Sequence, residues 1–303
     1  MTPLRDHANF EDGVATARRS LRDAFPPARA MIDRLPGALP PILRNKHPAS
    51  PSAFTPESLL REARRQKNSP DAPIPEVCIL DPDGDIVRHL RTTGRARPVA
   101  GWACYHSQMD GFEQDGHTLG IVGCAVGASY AVLLAEQMFA SGCRLLISIT
   151  SSGQIAATRE PPYFILIEQA LRDEGASYHY LPPSDYAEAD ADLVALIGPA
   201  LAEVGEPVER GATWTTDAPY RETDEAISAA RSAGILAVEM EAAGLYAFAR
   251  ARQKSVLCFA HVTNQMGRDG DFEKGEANGA LACLTLVRAV AAAWRRAPHA
   301  SSG

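Results

Sequence analysis

The chain has 303 residues, of which 46% are hydrophobic and 22% are charged, and its formal net charge is −7. This is the composition of an ordinary globular protein that can bury a sizeable core. The acidic balance argues against a protein that binds nucleic acid or a membrane surface, because both partners select for a basic face. We therefore expect a protein that acts on a small molecule.

The six cysteines show no CxxC pair, and most lie within apolar runs. This pattern is typical of reduced structural thiols and indicates a cytoplasmic protein. No apolar run reaches the roughly 18 residues of a membrane span, and the N-terminus lacks the apolar core of a signal peptide.

Residues 1–75 differ from the rest because they are rich in proline and arginine. Helical patterns occur at 14–25 and 56–66, and the second begins with a plausible N-cap, Thr55, followed by Pro56 at the first helical position. We interpret residues 1–75 as a helical extension that packs on the main domain or on a partner subunit. The alternative is a partly disordered basic arm.

From residue 77 onward, strand and helix patterns alternate. The first part predicts strands at 77–80, 99–105 and 118–122, then a helix that ends near residue 140 and a strand at 144–150. Gly142 marks the end of that helix. A strand, helix and strand of this length predict a parallel pair with a right-handed crossover.

The second part continues the alternation up to a closing amphipathic helix. Helices are predicted at 162–174, 190–204, 222–232, 241–252 and 277–294, and strands at 177–181, 208–214, 235–238 and 256–262. Residues 76–303 therefore form a single α/β domain with a mixed, mostly parallel central sheet flanked by helices.

The stretch 234–246, Gly-Ile-Leu-Ala-Val-Glu-Met-Glu-Ala-Ala-Gly-Leu-Tyr, places acids where a buried strand turns into a helix. In open α/β sheets, ligands bind at this edge. Glu239 and Glu241 are suited to accept bonds from neighbouring sugar hydroxyls, with Met240 as an apolar floor. The alternative is that both acids only complement the helix dipole.

Polar groups also follow two earlier strands. Ser148, Ser151, Ser152 and Gly153 offer hydroxyls and amides that suit an anion or a water, or that satisfy their own turn. The loop that starts at Gly123 leads into a helix N-terminus, but it is neither GxGxxG nor a Walker loop and is weak evidence for phosphate.

Two later clusters suit a planar base. Residues 214–223 include Thr216, Asp217 and Tyr220 in a proline-bearing loop that can stack on a base, or that only caps the next helix. Residues 261–265 end a buried strand with Thr263 and Asn264, whose amide can donate or accept a hydrogen bond.

These motifs together resemble the nucleoside phosphorylase and nucleosidase superfamily, which includes bacterial purine nucleoside phosphorylase, uridine phosphorylase and methylthioadenosine nucleosidase. The stretch 234–246 is similar to its ribose-binding motif, 215–220 to its base-site loop, and 262–264 to the end of its late strand. The resemblance covers about residues 77–295. It implies that Glu241 binds the ribose hydroxyls, Met240 packs under the sugar, Tyr220 lines the base pocket and Asn264 faces the base.

The sequence departs from this family at the phosphate site. Family phosphorylases carry an arginine in a Gly-Asp-Pro-x-Arg turn, a second arginine before the glycine turn, and often a third from a neighbouring subunit. This chain has Asp81-Pro82-Asp83-Gly84, Ser148 and Ala100 at those positions. Each missing guanidinium removes a charge-assisted bond to a dianion. Possible substitutes lie nearby at Arg88, Arg91, Arg95 and Arg97.

A nucleosidase needs no phosphate arginines, and Asp83 or Asp85 lies where such an enzyme carries its acidic group. This favours a general-base route. Against it, purine-specific members protonate the leaving base with an aspartate where this chain has Asn264. The uridine-specific Gln-x-Arg pair is also replaced, by Thr223 and Glu225.

We therefore predict an enzyme that cleaves the N-glycosidic bond of a nucleoside or related riboside, nominally by phosphorolysis as a pentosyltransferase. A phosphate-independent nucleosidase and a catalytically silent nucleoside-binding protein are the alternatives. We expect no cofactor and no metal, with phosphate as a possible co-substrate, and a homo-oligomer that contacts neither nucleic acid nor membrane.

Overall fold

The computed structural model describes residues 39–205, 207–265 and 274–297. The chain divides into two compact units, residues 1–45 and 46–303. In the first unit, the described part holds a short 3₁₀ helix at Pro41–Leu43. The predicted helix at 14–25 lies outside the described residues, and the predicted domain boundary at residue 75 stays a prediction.

The larger unit begins with the predicted helix that follows Thr55. Helix α1 spans Pro56–Lys67, and the Thr55 hydroxyl caps it by accepting a hydrogen bond from the Ser58 amide at 3.3 Å. Leu60 and Ala63 are fully buried in a small apolar cluster. The N-cap and proline signals thus gave the correct start of this helix.

The described residues of the larger unit contain ten strands. They are β1 (Val77–Asp81), β2 (Arg97–Pro98), β3 (Asp110–Gln114), β4 (His117–Gly123), β5 (Leu145–Gln154), β6 (Tyr163–Asp173), β7 (Tyr186–Glu188), β8 (Val208–Thr216), β9 (Ile235–Glu239) and β10 (Ser255–Gln265).

Six further helices accompany the strands in these ranges. They are α2 (Asp85–Thr92), α3 (Ala128–Ala140), α4 (Ala191–Leu201), α5 (Asp224–Ser232), α6 (Ala242–Arg252) and α7 (Ala280–Arg296). Short 3₁₀ helices occur at Ser177–His179 and Pro219–Arg221.

One mixed sheet contains all ten strands. Strand β5 pairs in parallel with β10, β10 is antiparallel to β6, and β6, β8 and β9 follow in parallel. Strand β9 returns antiparallel to the end of β5 and closes a barrel. Strands β1 and β4 extend the sheet from β5 in parallel, with β3 and β2 at the antiparallel edge. The predicted mixed α/β fold is confirmed.

Apolar cores lie on both sides of β5. Leu146 belongs to the core that contains α3 and α6. Leu145, Ile147 and Ile149 belong to the core that contains α2, α4 and α7. Because side chains alternate along a strand, Ser148, Thr150 and Ser152 share the first face, whereas Ser151 shares the second.

Most predicted elements are present, but three are wrong. Residues 99–105 form a loop whose buried Trp102 and Cys104 account for the apolar pattern. Residues 162–174 form β6 instead of a helix, because the apolar run after Pro162 pairs with both β8 and β10. Residues 177–181 contain a 3₁₀ turn instead of a strand. In the last two, tertiary pairing or turn chemistry overrode local propensity.

All six cysteines are unpaired, and Cys124 alone among them is exposed. None of the helices in the described part of the chain has the length and apolar character needed to cross a membrane. Among the same residues, no group of three or more His, Cys, Asp or Glu side chains could hold a metal ion.

Candidate active site

The ends of β5, β8, β9 and β10 meet at one edge of the barrel. Gly153 of β5 lies opposite Asn264 of β10 and also opposite Val238 of β9. On the other side of β9, Glu239 lies opposite Thr215. The predicted ribose, base and anion motifs are therefore neighbours in space, although more than 100 residues separate the first from the last.

Glu239 is 3% exposed and bonds only to the protein. One carboxylate oxygen accepts hydrogen bonds from the hydroxyls of Thr213, at 3.1 Å, and Thr215. The other accepts from the backbone amides of Glu241 and Ala242, both at 2.7 Å. Burial raises the pKa of Glu239, and the four donors partly offset that effect. Glu239 thus fixes the start of α6 and orients the residue beside it.

Glu241 is 1% exposed, and its two oxygens differ. Oε1 accepts the backbone amide of Gly127 at 2.6 Å, whereas Oε2 is buried without a hydrogen-bond partner among the described residues. Burial, and then the charge of Glu239, raise the pKa of Glu241 well above its usual range. A buried acceptor without a donor is energetically costly, so a ligand hydroxyl placed here would be stabilising.

Two more buried hydroxyls share the face of β5 on the α3 and α6 side. The Oγ atoms of Ser148 and Ser152 have no hydrogen-bond partner in the described residues, although the side chains are only 1% and 5% exposed. Thr150 lies between them and helps to lower the pKa of Glu241. This face therefore presents polar groups that the protein itself leaves unsatisfied.

The predicted acidic turn lies against the other face of β5. Asp83 accepts two hydrogen bonds from Ser151, one from its amide and one from its hydroxyl, both at 2.7 Å. Asp81 caps α2 by accepting the amides of Gly84 and Val87 at 3.1 and 2.9 Å. Burial raises the pKa of Asp81 to about 7.

Lys274 and Arg88 neutralise the third acid of this turn. Asp85 accepts the ammonium of Lys274 at 2.7 Å and the guanidinium of Arg88 at 2.5 Å. Burial alone would raise the pKa of Asp85, but these two cations outweigh it and hold the pKa below its usual value. Lys274 also lies 3.9 Å from Asp83.

His261 completes this acidic pocket. Its ring stacks on Phe164 with centroids 4.6 Å apart, and burial, followed by the charge of Lys274, lowers its pKa to about 4. A Cβ on Gly279 would lie 2.4 Å from the ring, so glycine is required there. The cavity beside it, of about 20 Å³, has room for about one water molecule.

Sequence reasoning had no signal for Lys274, which follows no motif. His261 stood in the polar cluster 261–265, but its position beside Asp83 depends on how β10 packs. Both residues reach the pocket through tertiary structure.

The predicted base-site residues lie on both sides of the site opening. Thr216 and Thr263 are buried, Met240 and Asn264 are partly buried, and Asp217 accepts the amide of Gly175 at 2.9 Å. Thr263 donates to the Asn264 side-chain oxygen at 3.4 Å.

Tyr220 is 98% exposed, so its side chain is not packed into a pocket formed by the described residues. Its predicted role in the base pocket therefore has no support from the geometry of the single chain.

Gly123 closes the gap between the turn after β1 and the loop after β4. A Cβ there would lie 2.9 Å from the Val87 side chain and 3.3 Å from Gly84. Cys124 follows with a φ of 58° and donates its amide to the Asp81 carbonyl at 3.0 Å. This hydrogen bond fixes the start of the loop in which Gly127 donates its amide to Glu241.

Known proteins with similar sequences are nucleoside phosphorylases. The chain is 28% identical to guanosine phosphorylase from Halorubrum lacusprofundi, over 54% of this chain and 70% of that protein. It is 27% identical to the DeoD-type purine nucleoside phosphorylase of Colwellia psychrerythraea, over 50% and 65%, respectively. It is 24% identical to uridine phosphorylase from Thermococcus kodakarensis, over 63% and 79%.

The fold has a counterpart in the crystal structure of uridine phosphorylase from Vibrio fischeri, solved with 6-hydroxy-1-naphthoic acid. The TM-score is 0.61 at 20% identity, over 73% of this chain and 92% of that one. Residues 81–293 match the sequence pattern described as the phosphorylase superfamily. This match covers well over half of the chain and includes every polar strand end described above, so the protein belongs to the phosphorylase superfamily.

Proposed function

We propose that this protein cleaves the N-glycosidic bond of a nucleoside and transfers the ribosyl group to phosphate. The buried Oε2 of Glu241, which has no hydrogen-bond partner among the described residues, carries this proposal, because a ligand hydroxyl would supply the missing donor. A ribose 2′,3′-diol offers two neighbouring hydroxyls to a carboxylate. The similarity to guanosine, purine nucleoside and uridine phosphorylases supports the same chemistry.

The resemblance of these motifs to the family supports roles for the remaining groups. Glu239 holds Glu241 through the start of α6, and Met240 packs under the sugar. Asn264 faces the base and stabilises the departing ring by hydrogen bonding, since an amide cannot give up a proton. Charge stabilisation of an oxocarbenium-like ribose would then contribute most to the rate.

Hydrolysis is a second candidate, favoured by the Asp83–Ser151 pair. The amide and the hydroxyl of Ser151 both donate hydrogen bonds to the Asp83 carboxylate. The adjacent cavity has room for about one water molecule. A carboxylate beside a water suits general-base activation. The argument against hydrolysis is the position of this pair, because Ser151 lies on the face of β5 opposite to that of Ser148 and Ser152.

One experiment separates these functions. The purified protein is incubated with a panel of purine and pyrimidine nucleosides, with and without orthophosphate, and the free base and any ribose 1-phosphate are measured. Base release that requires phosphate and yields ribose 1-phosphate supports the proposal. Equal release without phosphate points to hydrolysis, and saturable nucleoside binding without any release points to a silent binding protein.

A further inference from the structure

A second cavity lies beside the candidate active site, between α1, α2, α3 and the loop 102–108. It has a volume of about 500 Å³. We call it the cationic chamber. Its polar lining consists of Lys67, Arg91, His106, Ser107, Gln108 and Tyr130.

The charge of this chamber is opposite to that of the acidic pocket. Lys67 donates to the carbonyl of Cys104 at 2.5 Å, a neutral acceptor that leaves the ammonium charge uncompensated. Arg91 donates its Nε to Asp110 at 2.7 Å, which uses one of its five N–H donors. No acidic side chain lines the chamber among the residues that the structure describes.

Short loop connections place the chamber beside Glu241. Gly123 and Cys124 form part of its wall. Gly127, three residues after Cys124, donates its amide to Glu241. Three residues of extended chain span at most about 11 Å, so the chamber wall at Cys124 lies within about that distance of the Gly127 backbone that bonds Glu241.

We propose that the cationic chamber binds a phosphoryl group; this inference rests on the proposed function, because it takes the nucleoside to be bound at Glu241. A phosphate dianion suits the Lys67 ammonium and the four N–H donors that Arg91 has left after its ion pair with Asp110. It does not suit the Ser151 side of β5, where three carboxylates converge. The phosphoryl group has two possible sources, the orthophosphate co-substrate and the 5′-phosphate of a nucleotide substrate.

Binding measurements test the chamber directly. Titration calorimetry with orthophosphate, ribose 5-phosphate and ribose is carried out on the wild type, Lys67→Ala and Gln108→Glu. Gln108 is exposed, so its isosteric change adds a repelling charge with little risk to the fold. We expect both variants to weaken binding of the anion at least about tenfold, as for the loss of one charge-assisted bond. Arg65→Ala, on the same helix and outside the chamber, is the matched control and should not change binding.

The same titrations show whether the bound phosphoryl group comes from orthophosphate or from a nucleotide. Tight orthophosphate binding, together with a raised KM for phosphate in both variants, identifies the co-substrate. Ribose 5-phosphate that binds the wild type much more tightly than ribose does, with that preference lost in the variants, identifies a nucleotide.

The inference is overturned if neither anion binds the wild type, or if both variants bind the anions as well as the wild type does. Nucleoside cleavage with both an unchanged phosphate KM and unchanged ribose 5-phosphate binding in the two variants would also reject the chamber while leaving the proposed function intact. Anion binding that both variants weaken, in a protein that cleaves no nucleoside or nucleotide, would reject only the proposed function.

Discussion

The two faces of β5 treat their carboxylates in opposite ways. On the α3 and α6 side, Glu241 has a buried oxygen without a partner among the described residues, and the hydroxyls of Ser148 and Ser152 are likewise unsatisfied by them. On the α2 and α7 side, Asp83 and Asp85 are bonded by Ser151, Lys274 and Arg88. One face has unused hydrogen-bonding capacity, whereas the carboxylates on the other face are bonded within the protein. Ligand recognition is therefore expected on the first face, with the second serving mainly to hold the turn after β1.

The largest expected effect comes from removing the unsatisfied carboxylate. Glu241→Ala deletes the buried carboxyl group proposed to bond the two ribose hydroxyls and should lower kcat/KM by about 10²- to 10⁴-fold. Steady-state kinetics on the best nucleoside measure this loss, with the exposed Glu188→Ala as the matched control. Full activity in Glu241→Ala would remove the ribose role.

The second prediction concerns Asp81 on the acidic face and the pH dependence of folding stability. The pKa of Asp81 is raised by burial from 3.8 to about 7, so the folded state binds a proton that the unfolded state has already lost. Stability therefore falls as pH rises through that window. Relative to Asp81→Asn, the wild type should lose up to about 4 kcal/mol between pH 4 and pH 7.

Urea unfolding of both proteins at several pH values measures this difference, and the neutral His261 contributes equally to each. Parallel stability curves for the two proteins would show that Asp81 titrates normally.

The third effect concerns the residue that positions Glu241. Glu239→Ala leaves two hydroxyls and two amides at the start of α6 without their acceptor and should destabilise the fold by about 3 kcal/mol. Urea unfolding measures the change, and Glu239→Gln should recover part of it. A variant as stable as the wild type, but with weakened ribose binding, would instead place Glu239 in the sugar site.

The fourth effect decides what the acidic face does in turnover. Asp83→Asn removes a negative charge and one strong acceptor of Ser151. If phosphate is the acceptor of the ribosyl group, its KM should fall by about tenfold, because a repelling charge near the anion is lost. Initial rates at varied phosphate measure this. A variant that instead loses phosphate-independent base release would establish hydrolysis on this face.

The smallest effect is expected at Tyr220. Because the side chain is 98% exposed, Tyr220→Ala should change stability by less than about 0.5 kcal/mol. Thermal unfolding and nucleoside KM test this. A large rise in KM for the nucleoside would show that Tyr220 contacts the base after all, in a conformation or assembly different from the single chain.

The strand ends that carry polar residues were predictable because short apolar runs mark buried strands and their ends mark the sheet edge. The junction at 239–241 is the best example, since the motif itself contains the strand end, the acids and the helix start. The division of labour between its two acids was left open, because the sequence does not show that Thr213 and Thr215 lie under Glu239.

Other features could not be read from local patterns. Residues 163–173 resemble a helix until their pairing with two strands is known, and buried side chains at 102–104 mimic a strand. Lys274 joins Asp85 across 189 residues, a contact that no local rule anticipates. The exposure of Tyr220 is equally invisible in its loop motif.

The sequence by itself determined the α/β class and the position of the acids at the strand end near residue 239, because apolar runs and residue types are local properties. Only the tertiary structure decided which face of β5 each serine occupies, which carboxylate is left without a donor, and where the cations gather. Those outcomes depend on strand register and helix packing, which bring distant residues together and set the burial and charge that each one experiences.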